Sequence, residues 1–205
     1  MDQLILSFDR AVRTLSGSAR AARMSPAEHA PAPVMSAAER TASIRLMRVN
    51  HAGEVAAQAL YQGQALVTRS AALRDKLSHA ADEELDHLAW TRQRVHQLGG
   101  RTSALDPLWY AGALVMGAAA GALGDKLSLG FLQATEEQVE AHLASHLDHL
   151  PVTDTPSRAI VEQMKQDEAG HAQTARRLGA HPLPMPVQSL MRMSSKVMTT
   201  LAGRF

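Results

Sequence analysis

Glu84-Leu85-Asp86-His87 is the stretch of sequence from which the fold follows, because the same pattern returns as Glu168-Ala169-Gly170-His171. Each of these Glu-x-x-His motifs comes about thirty residues after a single glutamate, Glu54 for the first and Glu136 for the second. That separation corresponds to the rest of one helix, a turn and part of a second helix. Residues i and i+3 lie on the same side of a helix, so each motif can present its glutamate and its histidine to one metal ion.

All six residues of this repeat fall on helix faces that are otherwise apolar. Glu84 and His87 share a face with Leu77, and Glu136 lies within a leucine stripe over 129–150. For a single glutamate, an exposed position beside Arg or Lys would be the simpler interpretation. Four buried ionised carboxylates, however, would each destabilise the fold by several kcal/mol unless cations compensated them.

The repeat therefore predicts an all-α, ferritin-like four-helix bundle whose core holds two metal ions. The predicted metal ligands are Glu54, Glu84, His87, Glu136, Glu168 and His171. We assign no catalytic residue beyond these ligands. An acid precedes each motif, Glu83 and Asp167, and such an acid can orient a ligand histidine through its free N–H. Further candidates for that role are Asp86, Glu140 and His142. We interpret His51 as a hydrogen-bonded core histidine rather than a ligand.

Composition supports a helical protein and narrows the metal. Alanine is abundant and aromatic residues make up only 3% of the chain, which favours helices over sheets. The absence of cysteine excludes disulfides, thiol catalysis and iron–sulfur clusters. Any metal must then be held by Glu, Asp and His, which points to iron or manganese rather than structural zinc. A formal net charge of +1 gives no basic field of the kind that binds nucleic acid.

We predict three segments along the chain. Residues 1–35 form an arm with a short helix and a Ser-, Ala- and Pro-rich linker over 17–33. Residues 36–182 form the bundle, with helices that begin near Ser36, Ser70, Asp125 and Ser157. Residues 183–205 form an amphipathic helix whose only charged residues are cations, packed on the bundle or on an anionic membrane.

Three further features of the sequence predict local structure. Ser36 and Glu39 form a capping-box pattern at the start of the first long helix. Gly53 and Gly63 lie inside that helix, which predicts close approach by a neighbouring helix or a bound molecule. The uncharged run 107–124 is at the lower edge of the length that spans a bilayer. We expect a buried helix or a surface that touches lipid rather than a membrane span.

A carboxylate-rich site with two histidines suits oxygen activation, because anionic ligands stabilise an oxidised pair of iron ions. Hydroxylation, desaturation, iron oxidation and peroxide removal are all compatible with such a site. The pattern of ligands does not choose among them.

Several blocks of the sequence resemble the demethoxyubiquinone hydroxylase family, the di-iron monooxygenases of late ubiquinone biosynthesis. The most specific block is Arg48-Val49-Asn50-His51-Ala52-Gly53-Glu54-Val55. The segments 83–88, 135–140 and 167–172 are similar to the family's other three ligand regions, and the similarity covers roughly residues 40–180. The resemblance implies that the six predicted ligands bind two iron ions, and that Glu84 or Glu168 bridges them. Glu137 is adjacent to Glu136, and the leucine stripe favours Glu136 as the ligand.

The resemblance further implies a reaction and a location. The family adds one hydroxyl group to the ring of a demethoxy polyprenyl benzoquinol, using O2 and electrons ultimately from NADH. Family members associate peripherally with membranes, and other quinone-biosynthesis proteins are candidate partners. The long arm favours the cytoplasmic face of a bacterial inner membrane over the mitochondrial inner membrane. The alternatives are a ferritin-like iron oxidase or peroxide scavenger, and a non-catalytic quinone-binding scaffold.

Overall fold

The computed structural model describes residues 2–31 and 34–205, so the last two residues of the predicted linker lie outside it. The described residues form helices and loops without strands. The helices are α1 (Asp2–Ser16), α2 (Ala37–Val67), α3 (Ala71–Gln97), α4 (Asp106–Ala122), α5 (Asp125–His149), α6 (Thr155–Arg177) and α7 (Met185–Ala202). The prediction of an all-α protein is confirmed.

Two helical hairpins make the bundle. Helices α2 and α3 pack against each other, as do α5 and α6, and the hairpins meet through α3 with α6 and α2 with α5. One end of the core is filled by a cluster that includes Met47, Trp90 and Met164. The other end is filled by a cluster that includes Tyr61 and Leu77. On every bundle helix, the predicted ligands lie between these two apolar clusters.

Local signals set the helix ends. The capping box is confirmed: the Ser36 hydroxyl accepts a hydrogen bond from the Glu39 N–H, and the Glu39 carboxylate accepts one from the Ser36 N–H. Helix α3 begins after Ser70, as predicted. Helix α6 begins at Thr155 rather than near Ser157, because the Asp154 carboxylate caps it by accepting from the Ser157 N–H.

Helix α4 lies along α2 and accounts for Gly63. A Cβ atom at Gly63 would clash with the Leu114 carbonyl oxygen, and one at Gly117 would clash with the Leu60 carbonyl oxygen. The two backbones are therefore in direct contact, which only glycine permits at these positions. Gly53 is different, since nothing lies within 4 Å of a Cβ placed there. The expected neighbouring helix is thus found at Gly63 and not at Gly53.

Two buried glutamines on α2 form hydrogen bonds with neighbouring helices. The Gln58 side chain donates to the Ala81 carbonyl oxygen in α3. The Gln62 side-chain oxygen accepts from the Tyr110 hydroxyl of α4 at 2.5 Å. The mixed character of this helix face follows from its contact with polar groups on both sides.

Helices α4 and α7 expose apolar side chains. Leu108, Val115 and Met116 of α4 are exposed, as are Leu190 and Met193 of α7. None of the helices in the described residues is both apolar enough and long enough to cross a bilayer.

We predict that Gly63→Ala destabilises the protein although alanine favours helices. The added methyl group must push α4 away from α2, at a cost of about 1–3 kcal/mol. Urea denaturation of the metal-free protein measures this change. Gly112→Ala is the matched control on α4, since nothing lies within 4 Å of a Cβ there. It should be neutral or stabilising by up to about 1 kcal/mol. Equal effects of the two substitutions would contradict the close packing of α2 on α4.

Candidate metal centre

The six predicted ligands converge between the two hairpins. Ligand atoms of Glu54, Glu84, His87 and Glu168 all lie within 4.8 Å of one another. Atoms of Glu136, Glu168 and His171 form a second group with the same limit. Five of the six are buried and His171 is nearly so, with 13% of its side chain exposed. The two groups share Glu168, so they are halves of one cluster.

Glu84 and Glu168 each reach both histidines with separate oxygen atoms. Glu84 places Oε2 3.0 Å from His87 Nδ1 and Oε1 3.1 Å from His171 Nδ1. Glu168 places Oε1 3.2 Å from His87 Nδ1 and Oε2 3.3 Å from His171 Nδ1. The two carboxylates therefore lie between the two halves of the cluster. Glu54 and Glu136 each belong to one half only.

The outer nitrogen of each histidine contacts an acid from the other motif. His87 Nε2 lies 2.9 Å from Asp167 Oδ2, and His171 Nε2 lies 3.1 Å from Glu83 Oε2. These contacts turn both Nδ1 atoms towards the carboxylate cluster. The acid before each motif thus contacts the histidine of the opposite motif, a crossing that spacing within one helix does not reveal.

The cluster carries more negative charge than its histidines can balance. Burial raises the pKa of Glu54 and of Glu136 well above the ordinary carboxyl value. Burial would raise the pKa of Glu84 as well, but the positive charge of protonated His87 outweighs it and lowers that pKa. Burial would lower the pKa of His171, yet contacts with Glu168 and Glu84 raise it to about 12. Without metal, protons bound to the histidines and shared with the carboxylates offset part of the negative charge.

Tyr61 distinguishes Glu136 from its neighbour Glu137. The Tyr61 hydroxyl donates a hydrogen bond of 2.7 Å to Glu136 Oε1 inside the core. Glu137 instead lies at the surface in an ion pair with Arg176. The leucine stripe therefore identified the inward-facing glutamate. Tyr61 itself was not predicted at the site, although it lies two helical turns after Glu54 on the same face of α2.

The other polar candidates have different surroundings. The Asp86 carboxylate binds the arm rather than a histidine of the cluster, accepting from the Ala22 N–H at 2.6 Å. His51 is buried with its Nδ1 3.3 Å from Asp106 Oδ2, and it is absent from both ligand groups. His142 lines a small cavity beside Glu54. Glu140 belongs to neither of the two ligand groups found in the described residues.

Three cavities lie beside the cluster. A small cavity of about 40 Å³ touches Glu54, and it shares lining residues, Gly53 among them, with an apolar cavity of about 400 Å³ between α2, α4, α5 and α7. The apolar cavity is lined mainly by Ala, Leu, Met and aromatic side chains, among them Trp109, Met116, Phe131 and Met198. On another side, a cavity of about 220 Å³ reaches Tyr61 and His171. Gly53 thus lines both the small cavity at Glu54 and the apolar cavity next to it.

The residues present fit a pair of metal ions. None of the four carboxylates forms an ion pair with Lys or Arg in the described residues, and two histidines cannot neutralise four charges. Oxygen-rich ligands with two imidazoles are the donors that iron and manganese accept. Each ligand histidine also has the outer carboxylate typical of metal-bound imidazole. The cluster is compatible with a di-iron site.

Fold and site together define an all-helical, ferritin-like bundle with a buried carboxylate–histidine centre. A solved structure of similar shape is a dodecameric thioferritin, the bacterioferritin-related protein from Bacteroides fragilis, with a TM-score of 0.58. It is 16% identical to this chain, and the match covers 77% of this chain and 90% of that one. At that identity the likeness shows the fold alone.

The chain belongs to the ubiquinone biosynthesis protein COQ7 family, whose model matches residues 41–202. Relatives named 3-demethoxyubiquinol 3-hydroxylase match nearly the whole chain. The relative from Dechloromonas aromatica is 56% identical over 204 residues, which is 100% of this chain and 99% of the relative. The one from Chromobacterium violaceum is 55% identical over 199 residues, with 97% of each chain covered. The family resemblance that the motifs indicated is confirmed.

We predict that Glu136→Gln stabilises the metal-free protein, by about 1–2 kcal/mol at pH 8, because it removes a buried charge. Since burial raises the pKa of Glu136, its destabilising effect shrinks as the pH falls towards the value of the unfolded chain, near pH 4. The stability difference between variant and wild type should shrink in the same direction. Urea denaturation after chelation at several pH values measures it.

Glu137→Gln is the matched control for this experiment. Its surface ion pair with Arg176 contributes little, so stability should change by less than about 1 kcal/mol at any of these pH values. Iron analysis after loading should then show reduced iron in Glu136→Gln and unchanged iron in Glu137→Gln. The opposite result would place Glu137, not Glu136, in the cluster.

Proposed function

We propose that this protein is a di-iron monooxygenase that hydroxylates the ring of a demethoxy polyprenyl benzoquinol, a 3-demethoxyubiquinol 3-hydroxylase. The observation that carries the proposal is the position of a large apolar cavity next to the cluster: it shares Gly53 with the small cavity that touches Glu54. Relatives that bear this enzyme name match the chain over nearly its full length, which supports the same reaction.

Each half of the cluster would hold one iron ion. Glu54 and His87 would bind the first ion and Glu136 and His171 the second, with Glu84 and Glu168 placed to bind both. A bound pair of ferrous ions supplies electrons for the activation of O2. Iron binding would displace the protons that the metal-free cluster holds, because imidazole must be neutral to act as a ligand.

The protein's own residues provide the pocket and the geometry. Asp167 and Glu83 fix the outer nitrogens of the histidines, so that both Nδ1 atoms face inward. The apolar cavity offers about 400 Å³ for a quinol ring and the start of its prenyl tail. Gly53, without a side chain, leaves space for the ring edge beside Glu54. The apolar lining excludes water from that space.

This cavity separates the proposal from the two alternatives. An iron oxidase or peroxide scavenger takes a small polar substrate and needs no apolar cavity of this size. A quinone-binding scaffold would use the cavity but would have no need of four buried carboxylates, which destabilise the fold without metal. Of these three functions, only the hydroxylase requires an apolar cavity and a carboxylate cluster at one place. We infer that the electrons come ultimately from NADH, as the family resemblance implies.

We also propose peripheral membrane association, on the cytoplasmic face of a bacterial inner membrane. The substrate is a lipid, and the apolar cavity lies between α4 and α7, the two helices that expose apolar side chains. Helix α7 has cations and no acid, with Arg192 and Lys196 among its residues, which favours anionic lipid headgroups. The named relatives are bacterial, in agreement with that location. Other quinone-biosynthesis proteins remain candidate partners at this surface.

Complementation of a quinone-auxotrophic strain tests the reaction. Glu168→Gln should abolish growth and cause the demethoxy quinol to accumulate, because both halves of the cluster lose a ligand. Glu162→Gln, a surface control on the same helix, should rescue like wild type. Ala57→Phe, which fills the apolar cavity, should bind iron normally and still fail to rescue. Full rescue by Glu168→Gln would refute the site, and full rescue by Ala57→Phe would refute the cavity.

Flotation with vesicles tests membrane association. The wild-type protein should bind vesicles that contain anionic phospholipid more tightly than neutral ones. Replacing Leu190 and Met193 by glutamine should weaken binding by about tenfold or more, since two exposed apolar contacts with lipid are lost. Val152→Gln is the control, because Val152 is an even more exposed apolar residue and lies away from α7, in the α5–α6 turn. A larger effect of the control would place the contact surface elsewhere.

A further inference from the structure

One side chain of the arm that precedes the bundle, Arg23, reaches the surroundings of the carboxylate–histidine cluster. We propose that Arg23 is a positioning residue for the metal position at His87, acting through Asp167, and that it makes the two metal positions unequal in affinity. The inference rests on the proposed di-iron function, since it concerns the ligands of those ions. Arg23 lies outside residues 41–202, the region that the family model matches.

The Arg23 guanidinium connects two acids that flank the cluster. Its Nε donates to Asp86 Oδ2 at 2.5 Å, and its Nη2 lies 2.9 Å from Asp167 Oδ2. The same Asp167 oxygen lies 2.9 Å from His87 Nε2. A continuous chain of contacts therefore runs from the arm to a predicted ligand. Because the guanidinium is planar and uses two different nitrogens, it fixes the direction as well as the distance of Asp167.

The backbone of the arm is held at the same point. The Ala22 N–H donates to Asp86 Oδ1 at 2.6 Å, and the Arg23 carbonyl oxygen accepts from Trp90 Nε1 at 3.4 Å. The guanidinium carbon also lies 4.9 Å from the centre of a Trp90 ring. These contacts leave Arg23 little freedom, although 42% of its side chain is exposed. The predicted linker is therefore closely packed against α3 at this position.

His171 has a much weaker support. Its outer nitrogen contacts Glu83, whose side chain is 46% exposed. In the described residues, the only basic side chain within 4 Å of the Glu83 carboxylate other than His171 is His79, at 3.7 Å on the same helix and largely exposed. No arginine holds Glu83 from a second segment of the described chain. The cluster is nearly symmetric in its ligands but not in the groups that orient them.

This difference predicts unequal metal affinity. A carboxylate behind a ligand histidine orients the imidazole and raises its basicity, and removal of such support commonly weakens metal binding by about 10–100-fold. With Arg23 in place, Asp167 is held against His87, while Glu83 is free to turn towards solvent. The first metal ion should therefore occupy the position at His87, and the second the position at His171.

Manganese titration of the full-length metal-free protein tests this inference. Loss of the electron paramagnetic resonance signal of free Mn²⁺ counts bound ions and gives their stepwise affinities. Arg23→Gln should weaken the tighter of two steps by about tenfold and leave the weaker step nearly unchanged. Arg23→Lys should lie between, because one ammonium group cannot hold both carboxylates in the same geometry. Mössbauer spectra of the ⁵⁷Fe²⁺-loaded protein should show one altered iron environment in Arg23→Gln.

Arg10→Gln is the matched control. Arg10 also joins the N-terminal segment to α3, through Asp82 at 3.2 Å, but that pair does not touch the cluster. This variant should titrate like wild type. Without metal, Arg23→Gln should unfold at a lower temperature than wild type, because buried Asp86 loses its cation, but it should still be fully folded at the temperature of the titration. Identical titrations of Arg23→Gln and wild type would overturn the inference while leaving the metal centre intact. Equal weakening of both Mn²⁺ binding steps would contradict the inference that Arg23 supports only the metal position at His87. Failure of wild type to bind two ions would overturn the proposed function as well.

Discussion

Burial of four carboxylates around two imidazoles is the constraint on which this structure depends. Each of these groups would be better solvated in water, so the fold must hold them in place by other means. Apolar clusters fill the bundle on both sides of the cluster along the helix axes. Those clusters provide the stability that the polar centre lacks, and the centre provides a binding site that an apolar core could not. In each of the four helices, the apolar residues towards the two ends supply packing and the polar residues between them supply the binding site.

Helix α4 has a double role in this arrangement. Through Gly63 and Gly117 its backbone lies directly against α2, the helix that carries Glu54. Its other side chains form one wall of the apolar cavity. One element thus supplies both a close contact with the helix that carries Glu54 and a wall of the apolar cavity. Gly117 weakens α4 as an isolated helix, and together with Gly63 of α2 it allows this contact.

Much of the centre could be predicted from the sequence, because its signals are local. The spacing of glutamates and histidines within helices identified the six residues, and the leucine stripe distinguished Glu136 from Glu137. The contacts of Arg23 could not be predicted, since its partners are distant in the chain and an isolated arginine carries no periodicity. The crossing of Asp167 and Glu83 was equally hidden. It depends on how α3 faces α6, which neither helix specifies alone.

That crossing has a consequence for the unity of the domain. Each Glu-x-x-His segment completes the surroundings of the other one's histidine, and Glu84 and Glu168 each reach both histidines. The internal repeat therefore does not divide the protein into two independent metal-binding modules. Half of the chain would retain a histidine without its outer acid and a bridging carboxylate without its second partner. The repeat is a symmetry of the whole domain, and a complete cluster requires both hairpins.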